Sequence, residues 1–490
     1  MPIFSPPRYQ PPFYPVRRDD ISLFVKWFTA AERDIKSVLF GCRMCGNCLL
    51  QETAFVCPLT CPKGLRNGLC GGASEEHCEV DPSRPCTWYM IYRRAERLGI
   101  QDRLLEINAP IDGSRAGRET WLDALRVYRQ RGQGPHPLHF ITDRQRFNRE
   151  WEAFFRDLRQ PDWWQGDAEY HPPAYQEPAS NLEAALRSGT FTVTAEIAPP
   201  LGASADVLTK KVGWLNGYVT AANYTDNASA SARMNSLASS RLSLDAGLEP
   251  VMQLQARDRT RTVIQSDAMG AAGLGIRNLL CLSGDHHRFG PGPIAKPDQF
   301  DMDAVQVLWM LRRMRDDHIY LDGRAIKQPP MFFLGAAGSP YASEPRYEAI
   351  RAEKKINAGA QFIQTQPVFD YDRFLDWLEA LDKRNLLDKV YVLAGLVPLK
   401  SARAAHFMAD DVPGVKIPEA FLQRMDQAGD KEAQQETGVA IALETIGKLQ
   451  ATQGIAGLHI MAVHWEDIVP RLITEAGLPR PLAQAEPVLT

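Results

Sequence analysis

From residue 181 onward, short β-branched or apolar runs alternate with longer amphipathic stretches. The runs are FTVTAEI from Phe191, GYVTAA from Gly217, PVMQLQ from Pro250 and NLLCL from Asn278. They continue with MFFLG from Met331, QFIQTQ from Gln361, VYVLAG from Val390 and GLHIMA from Gly457. Segments of helical spacing separate them, as in EPRYEAIRAEKKINAG before the sixth run. Eight strand–helix units in succession predict an α/β fold, a (β/α)8 TIM barrel over residues 181–480. A doubly wound open sheet is the rival, but no G-x-G-x-x-G follows the first run.

The first part of the chain reads differently. Ile21–Leu39 is a predicted helix, with Phe24, Trp27, Phe28 and Ala31 at helical spacing. TWYMIYRRAERLG predicts a second, ending at Gly99, and WLDALRVYRQRG a third. Phe147, Trp151, Phe154, Phe155 and Leu158 make one apolar stripe on a fourth, a pattern that fits core or inter-domain packing better than a cofactor contact. Residues 161–180 hold too many prolines and polar breakers for an element and read as a linker along a surface. The expected division is a small cysteine-rich metal-binding domain (1–135), a helix and linker (136–180) and the barrel (181–480).

Composition narrows the picture. The 490 residues are 44% apolar and 23% charged with a net charge of −3, so the chain is long enough for several domains and has no footprint for nucleic acid. No apolar run reaches the length of a membrane span. The N-terminal MPIFSPPRYQPPFYPVRRDD lacks the apolar core of a signal peptide and reads as an arm that packs on something. A soluble, cytoplasmic protein is expected.

Eight of the nine cysteines lie between residues 42 and 86: Cys42, Cys45, Cys48, Cys57, Cys61, Cys70, Cys78 and Cys86. The opening C-x2-C-x2-C turn brings thiolates at i, i+3 and i+6 toward one cation or cluster. The Cys-Pro steps at Cys57 and Cys61 resemble the end of ferredoxin-type runs. A disulfide scaffold fits poorly with a chain composed like a cytosolic enzyme. Metal ligation is expected, by zinc, by a [4Fe–4S] cluster, or by two four-ligand sites, one of each kind. Cys281, in a strand, reads as a small core residue.

In a barrel, chemistry sits at the C-terminal ends of the strands. Those ends carry Glu196, then Asn223 and Tyr224, Gln255, the run Ser283–Gly284–Asp285, and Gln366. A carboxylate facing a second carboxylate and an amide suits a site that protonates and orients a polar heterocycle. Singly, each also suits a loop or capping residue.

These strand ends resemble the flavin-dependent methylenetetrahydrofolate reductases over roughly residues 185–480. The motifs are TAEIAPP at Thr194, NLLCLSGD at Asn278, KINAGAQFIQTQPVFD at Lys355, GLVPLKSARAAHFMADDVPGVKIP at Gly395 and GIAGLHIMAV at Gly454. The cysteine run resembles the C-terminal-type or accessory-subunit domain that accompanies some of these reductases, here placed before the barrel and with Leu69 where proline is usual. The resemblance implies Glu196 as general acid, Asp285 as the pterin-binding and iminium-stabilising carboxylate, and Gln366 as the amide completing pterin recognition. It implies a flavin, FAD or FMN, held by Tyr224, Gln255, Leu282, Ser283, Gly284 and Lys355, with Glu348 near an acidic contact. Serine at 283 replaces an arginine common in the family. NAD(P)H is the implied donor if the cysteines hold zinc; reduced ferredoxin or another electron-donor protein is implied if they hold iron–sulfur. A tetrahydrofolate substrate and a homo-oligomer are also implied.

Two other readings compete. DHHRFG at Asp285 satisfies D-x-H-x-x-G, a short corrinoid-binding pattern, which would make the chain a corrinoid-linked methyltransferase. A non-catalytic folate-binding or electron-transfer subunit is the other, against which the joint presence of Glu196, Asp285 and Gln366 argues. His286 and His287, being adjacent, point apart and read as loop residues rather than a metal pair.

Overall fold

A computed structural model describes residues 22–481 apart from 74–75, 132–133, 135, 137, 294–299 and 413–414. The N-terminal arm, including Ile21, lies outside the described residues, as do two positions of the Gly395–Pro418 loop. The eight strands are β1 (Thr192–Ile197), β2 (Ala221–Tyr224), β3 (Pro250–Gln255) and β4 (Asn278–Leu282), followed by β5 (Phe333–Gly338), β6 (Phe362–Pro367), β7 (Tyr391–Leu396) and β8 (Gly457–Ile460). They close in sequence order into one parallel barrel, β8 pairing with β1. The chain is a (β/α)8 barrel.

The period of two along each strand sets two environments. Outward residues such as Val193, Ala195, Leu254 and Ile363 are fully buried beneath the surrounding helices. Cys281 is among them. Inward residues make a graded interior. Its lower end is apolar, with Leu280, Phe333, Phe362 and Leu393 packed on Leu182 and Leu186 of the helix Asn181–Arg187. That helix plugs the barrel from below, and Glu249 accepts from the Asn181 and Leu182 N–H groups (both 2.9 Å), satisfying donors a helix start leaves open. Polarity therefore accumulates at the opposite, C-terminal mouth.

The cysteine-rich module runs from the helix Leu23–Phe40 through the helix Thr87–Leu98, which ends as expected on a left-handed Gly99. It leans on the barrel through a shared core in which Trp88, Tyr89 and Tyr92 meet Phe300, Tyr347 and Ile350. Asp303 fastens the joint. It caps the helix Ala304–Asp316 through a capping box and also accepts from Arg66 N–H and Asn67 Nδ2, both at 3.0 Å. The stretch 161–180 has neither helix nor strand, but it is less superficial than its composition suggests. Trp164 is fully buried, donates to the Ile107 carbonyl at 2.8 Å and accepts at its own carbonyl from Trp309 and Arg313. The segment is a strap, anchored by Trp164 inside the core and by Trp163 packed against the same cluster.

Candidate functional site

A polar layer lies across the barrel interior just below the mouth. Gln364 (β6) and Asn223 (β2) exchange two amide hydrogen bonds of 2.6 and 3.0 Å. Thr194 Oγ1 (β1) lies 3.0 Å from His459 Nδ1 (β8), and Gln364 Nε2 reaches both. In water-excluded surroundings such a set is stable only when its members satisfy one another, and it then fixes the residues above it. Above it stands Glu196, half-buried at the end of β1. It accepts from Gln253 Nε2 at 3.2 Å, and His459 Nε2 is 3.9 Å away. Gln253, Gln364 and His459 were not singled out from sequence. The signal was available, since each occupies an inward register of its strand where a polar residue needs a reason.

The loop after β4 brings Asp285 to the same mouth. Asp285 is half-buried; Oδ2 accepts from Ser229 N–H at 2.7 Å and its carbonyl from Arg257 at 3.1 Å. Gly284 has φ +93, and a Cβ there would come within 2.5 Å of Gln255 Oε1, so only glycine lets this loop pass. Gln255 is buried and donates to Asp258 at 2.9 Å, while Leu282 points inward above the apolar plug. Ser283 Oγ accepts from Ala304 N–H at 3.0 Å, a helix-capping role. A cation does reach this loop, from the cysteine-rich module: Lys63 Nζ donates to the Gly284 carbonyl at 3.0 Å. His286 is buried, and burial first, then the charge of Lys63, pulls its imidazole down to about 4. His287 turns away within a short 3₁₀ turn, 3.9 Å from Asp258, so the two histidines do not converge.

Gln366 completes the rim. The β6–β7 register breaks between Gln364 and Pro367, an irregularity that re-aims the intervening residues. A Cβ on Gly395 would lie 2.3 Å from the Thr365 carbonyl oxygen, so glycine on β7 makes room for this kink. Glu196 and Gln366, near the ends of β1 and β6, and Asp285, in the loop after β4, thus lie at one opening of the parallel barrel.

Tyr224 stands apart from the other residues assigned to the cofactor. Its neighbour Asn223 takes the inward register, so the tyrosine faces the helix Ser236–Asp245, fully buried, with its hydroxyl donating to Ser243 at 2.6 Å. Lys355 is buried beneath the end of β5 and donates to the Ala337 carbonyl at 2.6 Å. Burial holds its pKa well below the usual lysine value. Around it, Ser339 Oγ, Ser343 Oγ, Glu348 Oε1 and Arg351 Nε are buried and have no hydrogen-bond partner among the described residues. Buried polar groups are rarely left this way, so this corner has the donors and acceptors that the polar parts of a flavin would satisfy.

The eight clustered cysteines separate into two sets. Cys42, Cys45, Cys48 and Cys57 line one cavity; Cys61, Cys70, Cys78 and Cys86 line another. Burial pushes the thiols of Cys42 and Cys61 up to about 11 and those of Cys57 and Cys86 to about 12. A bound cation would reverse that cost and release the protons. Arg66, whose buried Nη1 has no hydrogen-bond partner among the described residues, lines the first cavity, and Lys63 lines the second. Four thiols beside a buried cation fit an anionic metal–thiolate group. Among the described residues no three His, Cys, Asp or Glu side chains are already arranged to hold a metal ion. A lone zinc would have to draw sulfurs to about 3.8 Å apart, given Zn–S bonds of about 2.3 Å; an iron–sulfur cluster spaces its four thiolates more widely.

Residues 181–477 match the family model described as methylenetetrahydrofolate reductase, and residues 23–114 match that described as methylene-tetrahydrofolate reductase C terminal. Methylenetetrahydrofolate reductase 1 of Schizosaccharomyces pombe is 26% identical over 244 residues, which is 48% of this chain and 36% of that protein. The chain therefore spans little more than a third of that relative's length. The 5,10-methylenetetrahydrofolate reductase of Escherichia coli is 24% identical over 219 residues, 44% of this chain and 67% of that one. A Clostridium thermocellum protein described as binding two copies of 5-methyl-5,6,7,8-tetrahydrofolic acid aligns over 60% of this chain and 99% of its own. At 16% identity and a TM-score of 0.43, that likeness is too distant to carry residues across.

Proposed function

Because the chain belongs to the methylenetetrahydrofolate reductase family, we propose that it interconverts 5,10-methylenetetrahydrofolate and 5-methyltetrahydrofolate in a flavin-dependent reaction. The observation that carries this reading is the grouping of Glu196, Asp285 and Gln366 at one mouth, with Glu196 braced by Gln253. Opening the five-membered ring of methylenetetrahydrofolate to an iminium requires a proton on the departing amine. Glu196, half-shielded above the polar layer, holds that proton and returns to carboxylate as it leaves; in the oxidative direction it takes the proton back. Asp285 keeps one carboxylate oxygen for the amino-pyrimidine edge while Ser229 N–H occupies the other. Its negative charge favours the cationic iminium. Gln366 supplies one donor and one acceptor to the same heterocycle.

A bound flavin would supply or accept the hydride, held by Gln255, Leu282, Ser283 and Gly284 on one side and by Lys355 with the unsatisfied Ser339–Arg351 corner on the other. The two four-thiol sets would hold metal. Iron–sulfur there favours reduced ferredoxin as donor, and zinc favours NAD(P)H. The described residues contain no helix long and apolar enough to cross a membrane. The test is turnover: purified protein given 5-methyltetrahydrofolate and a dye acceptor such as menadione forms 5,10-methylenetetrahydrofolate, and no turnover in either direction would refute the reading.

A further inference from the structure

The cysteine-rich module does more than lean on the barrel, because one of its side chains enters the mouth. Lys63 is 4% exposed, and its Nζ donates to the Gly284 carbonyl, 221 residues away, at 3.0 Å. Within the module it pairs with Glu79, whose carboxylate also accepts from Cys70 Sγ at 3.3 Å. A continuous polar chain therefore runs from the second thiol set to the loop that carries Asp285.

That loop has little freedom elsewhere. Arg257 holds the Asp285 carbonyl and Ser229 holds its Oδ2, while Gly284, at φ +93, packs against the Gln255 and Arg257 side chains. The Gly284 carbonyl belongs to the peptide that leads into Asp285, and Lys63 supplies a charged donor to its oxygen, one more restraint on the backbone that carries the carboxylate. Fastening the module does not require this bond. Asp303 with Arg66 and Asn67, Tyr347 with Glu96, and the shared aromatic core already do so.

We propose that Lys63 is a positioning residue of the folate site, holding the Gly284 carbonyl so that Asp285 presents its carboxylate to the pterin. The module is then one half of the site. This rests on the folate-reductase reading, and the test separates the two.

Lys63→Met alone would strand Glu79 as a buried unpaired charge, so the informative variant is Lys63→Met with Glu79→Gln, which removes the pair together. Lys63→Arg is the conservative control. Each is assayed for metal and flavin per chain and, anaerobically, for the Kd of 5-methyltetrahydrofolate. The double variant is expected to keep wild-type metal and flavin content yet bind the folate at least tenfold more weakly, with Lys63→Arg within threefold of wild type. Folate binding by the double variant within twofold of wild type overturns the positioning role, leaving Lys63 a structural ion pair. Loss of metal or flavin together with folate binding overturns it equally. Wild-type protein that binds no folate refutes the functional reading itself, and the inference with it.

Discussion

In the barrel, outward strand residues such as Val193, Leu254 and Ile363 lose all contact with water and need only helices to cover them. In the module, many buried positions are thiols and charges: Cys45 and Cys57, the Glu32–Lys36 pair, Lys63 and Arg66. Apolar burial stabilises without a partner, at roughly 25 cal/mol per Å². Buried charges stabilise only when something answers them. The barrel's outward-facing layer is thus complete in its own amino acids, whereas the module leans on the barrel and would gain stability from a metal held by its thiols.

The largest effect that would sharpen this contrast is metal removal. Structural metal–thiolate sites contribute on the order of 10 kcal/mol to folding. A chelator, or Cys61→Ser with Cys86→Ser, is therefore expected to add an early calorimetric transition for the module while the barrel's far-ultraviolet dichroism persists. A single melting transition unmoved by chelator would erase the contrast. Next in size is Glu196→Gln, which keeps flavin bound but lowers turnover by ~10²–10⁴, the usual worth of a positioned acid. Wild-type-like turnover in that variant would remove the acid assignment.

Within the barrel, Gln364→Leu leaves both amide groups of Asn223 without their partner. Buried unsatisfied groups cost about 1–3 kcal/mol each, so denaturant unfolding of the barrel transition is expected to show a loss of about 3 kcal/mol, with the module transition unchanged. The smallest effect at neutral pH concerns His286. Its folded pKa of about 4 lies below the unfolded value near 6.5. The unfolded chain binds the extra proton, so stability is complete above pH 6.5 and declines as pH falls toward 4, by at most about 3 kcal/mol. Against His286→Gln, wild type should lose ground only in that window; a constant difference from pH 8 to 4 would contradict it.

Much of the barrel was legible because its signals are local. PVMQLQ and NLLCL coincide with β3 and β4 residue for residue. The second strand was expected from Gly217 but begins at Ala221. Gly217 takes a left-handed turn, and the strand's continuation is masked by Asn223, a polar residue satisfied by Gln364 141 positions later. The same register explains why Tyr224, chosen for the mouth, faces a helix instead. Motif order placed Glu196, Asp285 and Gln366 at or just past strand ends, which in a closed parallel barrel all face one mouth. The division of eight cysteines into two sets was one of several options, because it depends on how the chain reverses at the 3₁₀ turn Pro58–Thr60. Lys63 carried no signal at all, since nothing in a sequence pairs a lysine after Cys61 with a glycine carbonyl on another domain.

The most direct test of the account is an anaerobic absorption spectrum of the purified protein before and after stoichiometric 5-methyltetrahydrofolate. The account predicts a bound flavin whose long-wavelength bands bleach as the folate is oxidised. A protein without flavin, or a flavin spectrum untouched by the folate, would contradict the assignment of the barrel mouth as the site of folate redox chemistry.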